Sequence, residues 1–199
     1  MTAARVALGF RIKSGWAAAV LLGGSVEAPQ LFDRRGVDLS DPDHPELRQP
    51  HHASMGHALV DDVALAQRYQ AIEDYSRHSL SLVIGHYKDR GYALSGAGLV
   101  VGSDADPDTI GNQHIRAHAL EGRLFRRVVE DAMRLEGLAC SIWTERQLYG
   151  VAQSGLGRSE TDIKKTVTEL GRGTCGGWRA DEKAATVAAW LVVSSHQAA

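Results

Sequence analysis

Two apolar runs open the chain. RVALGFRI (5–12) and WAAAVLLGG (16–24) have strand length, and KSG between them makes a tight turn in which Gly15 supplies freedom, so the pair predicts a β-hairpin. EAPQLFDRRGVDL (27–39) mixes charges and a proline with apolar residues, which suits an edge strand. SDPDHPELRQPHHASM (40–55) has three prolines and three histidines and reads as a loop. From 56 to 90 the pattern becomes helical. Leu59, Val63, Ala66, Tyr69, Ile72 and Tyr75 recur at steps of three and four, with a break expected near Ser79–Ser81 and closure at Gly91.

YALSGAGLVVGS (92–103) predicts a fourth strand, and DADPDTIGN after it a polar loop. A second helix follows to about Glu136, stopped by Gly137. LACSIWTE (138–145) predicts a fifth, buried strand. SETDIKKTVTELG (159–171) begins a helix with Ser159 as its cap, and a glycine-rich turn leads to a last, alanine-rich helix over 180–193. The expected order is β-β-β-α-β-α-β-α-α. With no internal repeat and no linker, residues 1–199 are expected to form one domain.

The second helix carries an anomaly in HIRAHALEGRLFRR. At 100° per residue, with His114 at zero, His118 lies at about 40°, Glu121 at about −20° and Phe125 at about 20°. Leu120, Leu124 and Val128 flank this direction on one side and Val129 on the other. Three polar side chains therefore sit within the apolar arc, at its N-terminal end, while Arg116, Arg123, Arg126 and Arg127 take the solvated side. Burying such groups unpaired costs about 1–3 kcal/mol each, so they must find partners. The helix starts beyond the C-terminal edge of its preceding strand, where α/β sheets usually bind ligands and where the positive end of the helix dipole points.

The element order, the hairpin ALGFRIKSGWAAAVL and the closing helix DEKAATVAAWLVV together resemble the ribonuclease H-like superfamily, in its RuvC resolvase branch. The resemblance implies an α/β fold with a five-stranded mixed sheet, its first three strands antiparallel, flanked by helices. It also implies acids clustered at one sheet end to hold divalent metals for phosphodiester cleavage. An aspartate belongs on the first strand. Here Leu8–Gly9–Phe10–Arg11 has no acid, and Arg11 places a cation where a metal should sit. At the end of the fourth strand, Val101–Gly102–Ser103 offers no acid before Asp104. Acids remain at Asp181 and Glu182 on the last helix, followed by Lys183. The hairpin also resembles the phosphate-binding turn of actin-like kinases, but GFRIKSG is not a P-loop.

Composition narrows the function classes. A formal net charge of −2 excludes a global basic field pulling the chain onto nucleic acid. Two cysteines exclude a disulfide scaffold and lack metal-ligand spacing, which points to a cytoplasmic protein; Cys140 in its apolar strand should be inert. No membrane segment is expected. Glu145 and Arg146 are expected to end the fifth strand and open onto the same sheet edge, with Glu145 meeting Arg11 or a histidine. The loop histidines His44, His51, His52 and His57 have loose metal-like spacing but a composition common on surfaces, so no metal is assigned to them.

Arg11, His114, His118, Glu121, Glu145, Asp181, Glu182 and Lys183 are thus nominated as ligand-binding residues, with no catalytic residue and no metal ligand assigned. The expected function is a non-nuclease ribonuclease H-like domain that binds an anionic ligand, nucleic acid or a protein partner at the sheet edge. The alternative is a divergent RuvC-type nuclease acting on structured nucleic acid, in which Asp181, Glu182, Glu145 and Asp104 would hold magnesium or manganese; outside that alternative the cofactor is left open. A third reading takes the long first helix, roughly 50 Å at 1.5 Å per residue, as the seam of a homodimer.

Overall fold

The computed structural model describes residues 5–52, 61–174 and 176–195. Five strands form one mixed sheet in the order β3-β2-β1-β4-β5. β1 (Arg5–Lys13), β2 (Trp16–Gly24) and β3 (Pro29–Asp38) form an antiparallel meander. β4 (Ala93–Val101) runs parallel to β1, and β5 (Cys140–Thr144) parallel to β4. The charged, proline-bearing strand β3 takes an edge, as its sequence implies.

Helices cover both faces, and each face has its own core. α1 (Asp62–Asp89) and α2 (Gln113–Leu135) bury Ile72, Leu80, Ile84, Phe125 and Val129 against Leu8, Phe10 and Leu99. Asp61 caps α1, its carboxylate accepting from the backbone N–H of Val63 and Ala64. The expected break near Ser79–Ser81 does not occur. Leu80, fully buried between the two serines, and Val83, Ile84 and Tyr87 after it keep the helical spacing of core contacts, and Ser76 donates to Leu39 O at 2.6 Å. The expected first residues of this helix, 56–60, lie outside the described residues.

On the other face α5 (Ala180–Ser195) lies directly on β1, β2 and β4, with α3 (Glu145–Leu156) and α4 (Glu160–Leu170) beyond it. Its alanines allow a very close approach. A Cβ added at Gly9 would stand 1.9 Å from Ala185 O, and one at Gly98 2.5 Å from Ala188 O. These two glycines are where sheet backbone meets helix backbone.

α3 corrects the sequence reading. Glu145 and Arg146 do not end a strand; they are the first residues of a helix. Thr144 starts it, its backbone N–H and hydroxyl both directed at the Gln147 amide oxygen, at 3.4 and 2.8 Å. Gly150 and Gly155 lower the helix propensity of this stretch. Gly155 has a packing reason, since a Cβ there would lie 2.7 Å from a Leu191 methyl. Among the described residues, no helix is long and apolar enough to cross a membrane.

Candidate functional site

The parallel strands β1 and β4 end beside the N-terminal half of α2, and a cavity of about 350 Å³ opens there. Val101, Ile115 and Phe125 give it an apolar wall, while Arg11, Lys13 and His118 contribute charged or titratable groups. This combination of an apolar body and a few polar groups is typical of small-ligand sites.

Arg11 anchors one side. It is 3% exposed, with its guanidinium against Glu145 Oε2 at 2.7 Å and Asp181 Oδ1 at 3.8 Å. It also donates to Ile12 O at 2.7 Å, and its Nε–H makes no hydrogen bond. Lys13, one pleat repeat further along the same face of β1, reaches Asp181 at 3.1 Å. The fold thus brings Arg11, Glu145 and Asp181 together from β1, α3 and α5.

Glu182 and Lys183 do not join them. Glu182 accepts from the Arg179 backbone N–H at 2.9 Å and faces Arg34 at 3.7 Å, while Lys183 bonds through its backbone N–H to Arg179 O. Helical geometry explains the separation: each step along α5 turns about 100°, so Asp181, Glu182 and Lys183 point in different directions.

A histidine cluster reaches the other side through His118. Glu121 is fully buried on α2, and its two carboxylate oxygens face His52 Nδ1 at 2.8 Å and His118 Nδ1 at 3.2 Å. His114, one turn before His118, lies 3.2 Å from His118 Nε2 through its Nε2 and 3.4 Å from His52 Nε2 through its Nδ1. The three rings pack with centroids 4.6 to 5.2 Å apart. The α2 trio therefore converges as its spacing predicts, with one addition. His52 comes from the proline-rich loop, which α1 ties down: Arg68 donates to Pro50 O at 2.8 Å and His52 O at 3.0 Å, and Tyr69 meets the neighbouring His51. Burial pushes the His51 pKa down and that of Tyr69 up.

Solved structures share this arrangement of elements. RuvC of Thermus thermophilus in complex with a Holliday junction substrate superposes with a TM-score of 0.57, over 98% of this chain and 96% of that one, at 10% identity. A second structure of Thermus thermophilus RuvC gives 0.56, over 97% and 96%, at 10% identity. The chain has a RuvC-like ribonuclease H fold. No protein-family model matches it, and no curated protein does.

β1 carries no acid over Leu8–Arg11, the stretch where the resemblance implies an aspartate, and Arg11 is its charged residue. Magnesium needs several oxygen ligands in near-octahedral geometry. Here the oxygens of Glu145 and Asp181 face Arg11 and Lys13, Asp104 pairs with Arg126 at 2.6 Å, and Glu182 is turned elsewhere. These residues do not fit a two-metal centre, because a guanidinium already supplies the positive charge between the acids.

The arginine face of α2 is also paired. Arg116 meets Asp108 at 2.9 Å, Arg123 meets Asp106 at 3.1 Å, and Arg127 meets Glu73 at 2.5 Å. Among the loop histidines, His44 pairs with Glu46 at 3.2 Å, and His57 lies outside the described residues. Burial pushes the Cys140 thiol up to about 11, which suits its inert reading. Trp178 donates to Val167 O at 2.8 Å and packs against Gly171, so it belongs to the core around α4 and α5.

Proposed function

We propose that the chain is a ribonuclease H-like domain that binds a phosphate-bearing ligand in the strand-end cavity and does not cleave phosphodiesters. The observation that carries this reading is Arg11, a buried cation on the first strand with Glu145 and Asp181 turned toward it, in the stretch where the resemblance implies an acid. Arg11 serves as the fixed charge of the site. Lys13 serves as its adaptable one, since its side chain is 36% exposed and its pairing with Asp181 is the kind that water weakens. A ligand anion would compete for the Lys13 ammonium while its apolar part lies on Ile115, Val101 and Phe125.

A nucleotide has this chemistry, either free or within a strand. The strand version is supported by the fold, since a RuvC of the same fold has been seen with a Holliday junction substrate. Thermal-shift and anisotropy titrations with inorganic phosphate, a nucleoside monophosphate and a labelled four-way DNA junction separate the sources. The expected result is stabilisation by at least one nucleotide form, weakened at least tenfold in affinity by Lys13→Ala, with the junction left intact in magnesium or manganese. No response to any of the three would overturn the binding reading, and metal-dependent cleavage would overturn the non-nuclease one.

A further inference from the structure

The histidine cluster that reaches the cavity through His118 holds one more ring contact than neutral imidazoles can answer. An ionised Glu121 only accepts hydrogen bonds, and with it the Nδ1 atoms of His52 and His118 that face it would each carry a hydrogen. A neutral imidazole has only one. The Nε2 atoms of both rings are then bare lone pairs, and both abut His114, at 3.4 and 3.2 Å. Neutral His114 has one hydrogen and can answer one of them. The remaining contact sets lone pair against lone pair, beside a fully buried carboxylate that needs a compensating charge.

We propose that His52, His114 and His118 bind a single zinc ion, with Glu121 orienting two of the three ligands. The carboxylate behind a histidine, fixing its tautomer and turning the other nitrogen toward the ion, is the usual outer support of such a centre. One ligand nitrogen from each ring lies within 4.8 Å of the others. In a tetrahedron with Zn–N bonds of about 2.0–2.1 Å, ligand nitrogens lie about 3.4 Å apart, close to the separations between neighbouring rings here. His114 presents a different nitrogen to each neighbour. It would bring one of them to the ion by turning about its side-chain bonds, which its exposed position allows.

The donor set selects the metal. Three imidazoles without a thiolate suit zinc and its late first-row neighbours, whereas magnesium and calcium take oxygen ligands. Three protein ligands leave a fourth tetrahedral position for water or a ligand atom. His118 also lines the cavity, so an ion held by the triad and a ligand in the cavity would share one side chain. The metal inference does not rest on the proposed phosphate binding.

The test uses the full chain, stripped with a chelator and returned to metal-free buffer at neutral pH. Zinc uptake is followed by competition with a chromophoric chelator and by elemental analysis, with cobalt as a spectroscopic stand-in. The expected result is one equivalent of zinc and the intense visible bands of four-coordinate cobalt. Binding is lost in His114→Ala and weakened 10–100-fold in Glu121→Gln. His44→Ala, which alters an exposed loop histidine, leaves it unchanged. Circular dichroism establishes that His114→Ala folds, and His118→Ala provides a second ligand deletion. Equal zinc affinity in the native chain and both deletions, or no uptake by the native chain, overturns the proposal.

Discussion

The two charged clusters that meet at the cavity through Arg11, Lys13 and His118 solve one electrostatic problem in opposite ways. On the strand side, the acids Glu145 and Asp181 meet cations that belong to the chain itself, Arg11 and Lys13. On the α2 side, Glu121 meets imidazoles whose hydrogens do not suffice for their own contacts. The first group already holds its own positive charge, so a ligand anion would enter it by competing with Asp181 for Lys13. The second is completed by a cation from outside. The sign of what each group could take therefore differs: an anion at the strand side and a cation at the α2 side.

The strongest way to break this contrast is to remove the built-in cation. Arg11→Asp would set a third carboxylate beside Glu145 and Asp181. Breaking a buried pair costs about 3–5 kcal/mol. Since Glu145 is half exposed, Arg11→Asp is expected to lower unfolding free energy by about 3–4 kcal/mol in urea melts, with part of the loss recovered in manganese. Recovery would show that the guanidinium stands in for a metal, and an undiminished stability would show that the acids never needed a cation.

Glu121→Ala comes next. In metal-free protein it leaves two imidazole N–H groups without their acceptor, at a cost of about 1–3 kcal/mol. Urea melts with and without zinc would sharpen the comparison, since the native chain should gain stability from the metal and the variant should gain much less. The smallest effect is expected on the arginine face. A double-mutant cycle on Arg123 and Asp106, both about half exposed, should return a coupling of about 0.5 kcal/mol or less that fades in high salt. A larger coupling would mean that this face is more than a solvated lattice of ion pairs.

The sequence made the helical part of the site legible because a helix has a period. His114, His118 and Glu121 could be placed on one side of α2 from spacing alone. Topology led to Arg11, Glu145 and Asp181, since β1, the end of β5 and the start of α5 converge on one sheet edge. His52 was invisible in that way. It lies on an aperiodic loop whose course depends on the grip of Arg68 and the contact of His51 with Tyr69. α3 has a weak helical signature because Gly150 and Gly155 dilute it, although Gly155 is what lets it approach α5. Adjacency in sequence groups Glu182 and Lys183 with Asp181, and a helix does not respect adjacency.

The seating of α5 bears on how firmly the strand-end acids are held. Between this helix and strands β1 and β4 there is, at Gly9 and Gly98, no compliant layer of side chains to absorb a displacement. Shifting the helix would mean shifting peptide groups of the sheet itself. Asp181, on the first turn of α5, thus inherits the stiffness of the central strands, and repacking the surrounding core has little leverage on where that carboxylate stands.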